Sequence, residues 1–347
     1  MRRALIARLG PISNCRVRVW GTIVLTSLGG VPACRTLSTY RAGAHVDRGE
    51  ALLGDDDLEA ALAEFQAAAE LAPQIAVAHS RMGMIYRRMG EYERAIAAFV
   101  EAVQRDQLSL ADWLNLAQLY QFTKRVKEAI TAYLAAVELD PGNFEAQMNL
   151  GTCYQQAGDN VQAVERFRRA IDIDSARPHA FVNLGVALDA QQRYYEAIRA
   201  YKEALERDSR QPLVLVNLAQ TYMNQDRLKM ARQALLQALA MDSGLAAAHE
   251  ALGYCLFRMR EFDEAERAYE QALAEDWRLS RAHAGLGSIN MLRYLEDTTQ
   301  NPLYERAREH WHRSLELNPD QPRIRALLAK YKPTTRDPEQ ALLEKGG

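Results

Sequence analysis

Cysteine is scarce in this sequence: Cys15, Cys34, Cys153 and Cys255 are the only four in 347 residues. So few exclude a disulfide framework, and no Cys-x-x-Cys pair offers a zinc ribbon or a redox motif. Net charge is also small, formally −2, which argues against a dedicated nucleic-acid binder. No P-loop, dinucleotide fingerprint, nucleophile elbow or His-Glu-x-x-His motif occurs, so the residues offer no active site and no cofactor or metal site. The apolar stretch at residues 19–33 has fifteen residues, including Gly29, Gly30 and Pro32, short of the roughly 20 that a transmembrane helix needs. What is present is ordinary for a folded soluble chain: 48% hydrophobic and 25% charged residues, which excludes global disorder and a polytopic membrane protein.

The charge is unevenly placed. Residues 1–41 carry seven arginines and no acidic residue, which leaves the rest with 36 basic and 45 acidic side chains. A basic segment to residue 18, the apolar stretch 19–33 and a small residue at its end are the parts of a secretory signal. Val31-Pro32-Ala33-Cys34 resembles a bacterial lipobox, with Pro32 departing from the usual residue at its place. That resemblance implies lipidation of Cys34, and cleavage after Ala33 by ordinary signal peptidase fits nearly as well. The division expected here is a leader at 1–33, a linker at 34–41, a repeat body at 42–331 and a loose polar tail at 332–347.

The body repeats every 34 residues. WLNLAQLY from Trp113, QMNLGTCY from Gln147, FVNLGVAL from Phe181 and LVNLAQTY from Leu215 align in register. Further along each unit an alanine recurs (Ala61, Ala95, Ala129, Ala163, Ala197, Ala231, Ala265). A large residue stands at +4 (Phe65, Phe99, Tyr133, Phe167, Tyr201, Leu235, Tyr269) and another alanine at +7, from Ala68 to Ala272. Offsets of 0, +4 and +7 mark one face of a helix. Each unit therefore supplies two amphipathic helices whose small residues admit close approach and whose large ones fill the gaps. One such pair cannot bury its apolar face alone, so the units must stack.

These residues resemble a tetratricopeptide repeat (TPR) array over residues 42–319, with Gly or Ala at unit position 8 throughout (Gly49, Gly83, Ala117, Gly151, Gly185, Ala219, Gly253, Gly287). The resemblance implies an all-α, right-handed solenoid of about eight helix pairs starting near 42, 76, 110, 144, 178, 212, 246 and 280, plus a C-terminal capping helix. The eighth unit is eight residues too long, and the loop-like LEDTTQNP at 295–302 is the expected place for the insertion.

Most candidate chemistry reads as packing. His45, His79, His249 and His283 all fall at unit position 4, a packing slot. His310 and His312 are two apart on a helix and do not face one another. Cys153 and Cys255 share position 10, where cysteine serves as a small apolar filler.

One pattern exceeds packing. Position 6 is asparagine in four consecutive units: Asn115, Asn149, Asn183 and Asn217. Asparagine is a mediocre helix former, and a core gives no reason for it. The family resemblance puts position 6 on the concave groove, where a ladder of amides matches the donor–acceptor pairs of an extended peptide. Gln118, Gln220 and Phe122 fall on the same stripe, and Arg81, Arg87 and Arg88 extend it with positive charge suited to a carboxylate. The carboxylate clamp of chaperone-binding relatives is disfavoured, because position 2 carries Ala111, Glu145, His179 and Leu213. The sequence therefore predicts a non-enzymatic scaffold whose partner is an extended protein segment, with no nucleic acid, no small-molecule substrate, and contact with membrane only through a lipid on Cys34. The leader predicts export to the periplasmic side of the outer membrane. That layout resembles the lipoproteins that assist secretin assembly for type IV pili. A cytoplasmic adaptor is the alternative if translation starts downstream of the leader.

Overall fold

The computed structural model describes residues 31–332, with side chains from residue 37 onward. Its described residues form seventeen helices and no strand. By Cα proximity the described residues divide into two compact units, one ending at Ala78 and one beginning at His79.

The first unit holds α1 (Val31–Gly54), α2 (Leu58–Leu71) and the opening residues of α3 (Ala76–Arg88). Ala42, Ala68, Ala72 and Ala78 form its small core. The Phe65 ring lies so close over Gly49 that a Cβ there would sit 2.8 Å from it. The linker expected at 34–41 is instead part of α1, a correction to the sequence reading. Between Pro32 and Gly43 the sequence has no Gly or Pro to interrupt a helix, so helical geometry runs through it. The leader at 1–30 and the tail at 333–347 lie outside the described residues, as does the Cys34 side chain.

The second unit continues α3 and adds α4 (Tyr92–Arg105), α5 (Leu110–Phe122), α6 (Val126–Leu139), α7 (Phe144–Gln156), α8 (Asn160–Ile173), α9 (Pro178–Ala190) and α10 (Tyr194–Arg207). Beyond these lie α11 (Pro212–Asn224), α12 (Leu228–Met241), α13 (Ala246–Arg258), α14 (Phe262–Glu275), α15 (Ser280–Glu296), α16 (Asn301–Leu317) and the short α17 (Pro322–Lys330). First helices have thirteen residues and second helices fourteen from α3 to α14. The signature alanines and the large residues between them are buried at every unit. Removing a Phe-sized side chain from water contributes about 1.5–3 kcal/mol, repeated once per unit. The fit is tight: a Cβ on Gly151 would sit 2.6 Å from the Phe167 ring, and one on Gly185 2.6 Å from that of Tyr201.

Turns between paired helices are built alike. The residue at unit position 15 has positive φ in Asp56, Gly90, Lys124, Gly158, Gln192, Asp226 and Arg260. The next backbone N–H reaches back to the position-11 carbonyl, as in Glu91 to Tyr86 (2.9 Å) and Arg125 to Tyr120 (2.8 Å). This is a Schellman closure, which satisfies helix-end carbonyls that would otherwise lack partners.

From α4 to α17 each helix packs on its chain neighbours, and successive first helices also pack on one another: α7 on α9, α9 on α11, α11 on α13 and α13 on α15. Successive second helices make no contact of comparable extent among the described residues. First helices therefore form the tighter, inner layer of the solenoid, and their outward faces line its concave side.

The irregular eighth unit differs from expectation. Its extra residues do not form an inserted loop at 295–302. Four lengthen the first helix, three lengthen the second, and the turn grows by one, to residues 297–300. Trp311 takes the place of the usual position-24 ring and is buried on Gly287, whose Cβ would meet it at 2.5 Å. α17 covers the end: Ile324 is buried, and the Tyr331 carbonyl accepts from the Tyr304 hydroxyl at 3.0 Å and from Arg308 at 2.6 Å.

Candidate peptide-binding groove

The four asparagines sit on α5, α7, α9 and α11, one per repeat, each half-buried. Their surroundings differ. Asn115 accepts a hydrogen bond from Arg87 Nη1 on the preceding first helix at 2.8 Å. Asn149 acts on the Tyr133 phenol, opposing the rise that burial causes in its pKa, and that phenol donates to Gln121 at 3.1 Å. Asn183 and Asn217 make no side-chain hydrogen bond to any described residue. A half-buried amide without a protein partner keeps its full donor and acceptor capacity for water or a ligand. The ladder is thus two asparagines engaged in the fold and two free.

The other residues chosen from the sequence spread more widely. Gln118 is exposed, and Gln220 donates to Asn224 at 3.1 Å along its own helix. Phe122 is 64% exposed, with its ring centroid 4.6 Å from that of Tyr92 at the start of α4. Arg81 points Nη1 at the Met84 sulfur (3.4 Å), and Arg88 is exposed. Of the three arginines expected on the stripe, Arg87 is the one that meets the ladder.

Two carboxylates that the sequence reading did not single out lie on this face. Asp189, at the end of α9, accepts from the Thr221 hydroxyl at 2.9 Å. Burial pushes its carboxyl above the usual range, and hydrogen bonds from Thr221 and Asn224 oppose that shift. Glu250 on α13 is similarly pushed up by burial, against the pull of Arg281, whose guanidinium is 3.7 Å away on α15. Glu250 falls at unit position 5 and Arg281 at position 2, so the register itself was the signal available in the sequence.

Glu250 and Arg281 belong to a concavity of about 530 Å³ that also includes Asn217, Gln220 and Tyr254. It shares Tyr254, Tyr269 and Arg281 with a second hollow of about 540 Å³, walled by Phe257, Ala284 and, from α17, Ile324 and Leu327. The ladder position in this last repeat is Gly285, where a Cβ would lie 2.3 Å from the Tyr269 ring. A glycine there lets the ring reach the groove surface. The groove thus runs from amides in the middle to a largely apolar end closed by α17. Both buried cysteines are free, with burial raising both thiols and pushing Cys153 up to about 11.

The arrangement is that of a TPR solenoid, a protein-interaction scaffold fold. A family profile described as the cilia and flagella-associated protein 70 C-terminal domain matches residues 32–290, and the chain belongs to that TPR-type family. No curated protein sequence matches it. Among solved structures, the chain is similar to the C-terminal part of a TPR repeat-containing protein from Cytophaga hutchinsonii. The two share 18% identity and a TM-score of 0.57, over 70% of this chain and 99% of that one. It is also similar to the APC/C hetero-tetramer Cut9-Hcn1, with 17% identity and a TM-score of 0.54 over 79% of this chain and 52% of that one. YrrB, described as a TPR protein with an unusual peptide-binding site, has 20% identity and a TM-score of 0.49 over 54% of this chain and 96% of that one. The likeness to the first two, at this level of identity, establishes the fold and nothing further.

Proposed function

We propose that this protein is a non-enzymatic scaffold that holds an extended segment of a partner protein in its concave groove. The observation that carries the reading is the pair Asn183 and Asn217: consecutive in the ladder, half-buried, and without side-chain partners among the described residues. Free amides at a one-repeat spacing suit the alternating donors and acceptors of a peptide backbone. The test compares cross-linked partners of wild type and Asn183→Ala/Asn217→Ala by mass spectrometry. Each lost amide pair costs about 1–2 kcal/mol of binding, so the double variant should bind a groove partner roughly 30-fold or more weakly. Its unfolding free energy should stay within about 0.5 kcal/mol of wild type. An unchanged partner set in the folded variant would overturn the reading.

The basic and apolar leader and the Val31–Cys34 motif support export. On this reading the mature chain starts at Cys34, carries a lipid there, and serves assembly of an envelope complex, of which a pilus secretin is one candidate. A second reading, a cytoplasmic adaptor, is favoured by one observation: α1 runs unbroken from Val31 to Gly54, across the cleavage point. Intact mass and N-terminal sequencing of the native protein decide between them. No helix among the described residues is long and apolar enough to cross a membrane.

A further inference from the structure

His283 and His310 are 27 residues apart in sequence, yet their Nδ1 atoms face each other across α15 and α16 at 3.1 Å. The ring centroids are 5.4 Å apart with planes at 36°. His283 Nε2 lies 3.2 Å from the Trp277 carbonyl oxygen. A carbonyl only accepts, so Nε2 carries the hydrogen and Nδ1 presents its lone pair towards His310. The same tie to the carbonyl six residues back recurs at unit position 4: Trp113 to Gln107 (3.0 Å), Gln147 to Pro141 (3.1 Å) and His249 to Ser243 (2.9 Å). The tautomer of His283 is therefore set by a bond that the repeat makes elsewhere with other residue types.

A histidine that donates one ring N–H to a backbone carbonyl and turns the other nitrogen to a neighbouring ligand has the arrangement common to metal-bound imidazole. An ion at the usual imidazole distance of roughly 2.0–2.1 Å from both nitrogens would subtend about 95–100° between them, a workable angle for tetrahedral or tetragonal coordination. We propose that His283 and His310 bind a divalent transition metal ion that bridges α15 and α16. His310, which donates Nδ1–H to His283 in the metal-free pair, moves that proton to its own Nε2 and presents a second lone pair.

The site is small. No group of three or more His, Cys, Asp or Glu suited to a metal exists among the described residues, so water completes the coordination. Imidazole ligands favour Cu²⁺, Ni²⁺ and Zn²⁺ over Mg²⁺ or Ca²⁺. The charged groups acting on the pair are Glu309 and Glu266, Arg306 and Arg313. Glu266 is held by Arg293 at 2.7 Å, and the Arg313 guanidinium lies over the Trp277 ring at 4.9 Å. Both acidic and basic neighbours are thus partly committed, and neither sign dominates the approach. Bound metal would staple the two lengthened helices of the eighth repeat together.

The test titrates the untagged full chain with Zn²⁺ or Cu²⁺, reading calorimetry, thermal midpoint and, for Cu²⁺, the nitrogen couplings in its electron paramagnetic spectrum. Wild type should bind one ion, show coupling to two imidazole nitrogens and melt at a higher temperature with metal. His310→Gln keeps a donor towards His283 and preserves the metal-free contact, yet should weaken binding about tenfold or more and lose the two-nitrogen signature. His249→Gln, which alters the equivalent position of the preceding repeat, should bind as wild type does, and Mg²⁺ should have no effect. Equal binding by wild type and His310→Gln, or no binding by wild type, would overturn the proposal.

Discussion

At the scale of single residues, position within the repeat decides more than residue type does. Position 4 was legible as a packing slot, but its occupants Trp113, Gln147, His249 and His283 share a second property: each has a side-chain N–H. All four spend it on the carbonyl six residues back, which ties the turn between repeats to the next first helix. Position 15 is equally uniform in backbone and indifferent in side chain, with left-handed φ at Lys124 (61°) and Gly90 (77°) alike. An L-residue there costs roughly 1–2 kcal/mol. A Cβ on Gly90 would meet nothing within 4 Å, so Gly90→Ala isolates the backbone term. It should destabilise by about 1 kcal/mol. Lys124→Gly should change stability in the opposite sense by about 0.5 kcal/mol, because glycine's extra unfolded-state entropy offsets part of the relief. Shifts of the urea midpoint in the two directions check both.

At the scale of elements, the groove belongs to the first helices, and its charged residues depend on which helix faces which. Glu250 is half-buried between α11, α13 and α15. Burial raises its pKa against the opposing pull of Arg281. A folded pKa above the unfolded value means that folding is favoured while the group is protonated, and that this contribution fades as pH rises through the folded value. Glu250→Gln should therefore be at least as stable as wild type at pH 7, and its advantage should vanish below about pH 4.5. Thermal midpoints at pH 4 and pH 7 measure this. A wild type that outlasts the variant at pH 7 would mean that the Arg281 pair outweighs the burial cost. The eighth repeat depends on helix packing in the same way. Its length excess was plain in sequence, but LEDTTQNP read as a loop, whereas residues 295–296 and 301–302 are helical. Pro302 fits because it falls in the first turn of α16, where its missing N–H costs nothing.

At the scale of the whole molecule, the described residues from His79 onward form one compact unit in which each repeat rests mainly on its neighbours. Stability in such arrays is close to a sum of local terms. Truncation after Asp320, which removes α17, should speed hydrogen exchange in α15 and α16, where Ile324 and Tyr331 now cover Trp311 and Tyr304. It should leave α5–α10 protected as in the full chain. Uniform loss of protection throughout would mean that the array unfolds as a single cooperative block.

The sequence alone determined the repeat length, the helix pairs and the complementary small and large residues between them, because every unit needs the same close approach and shows it at a fixed spacing. It also marked the asparagine row, a departure from that packing rule. Only the tertiary structure decided which asparagines are free, that Glu250 meets Arg281, that α17 closes an apolar hollow, and that His283 meets His310. Those outcomes depend on side chains from different helices converging: Arg87 with Asn115, Glu250 with Arg281 and His283 with His310 are 27 to 31 residues apart in sequence. Periodicity fixes the face on which a residue lies. The stacking of one repeat on the next fixes what that residue touches.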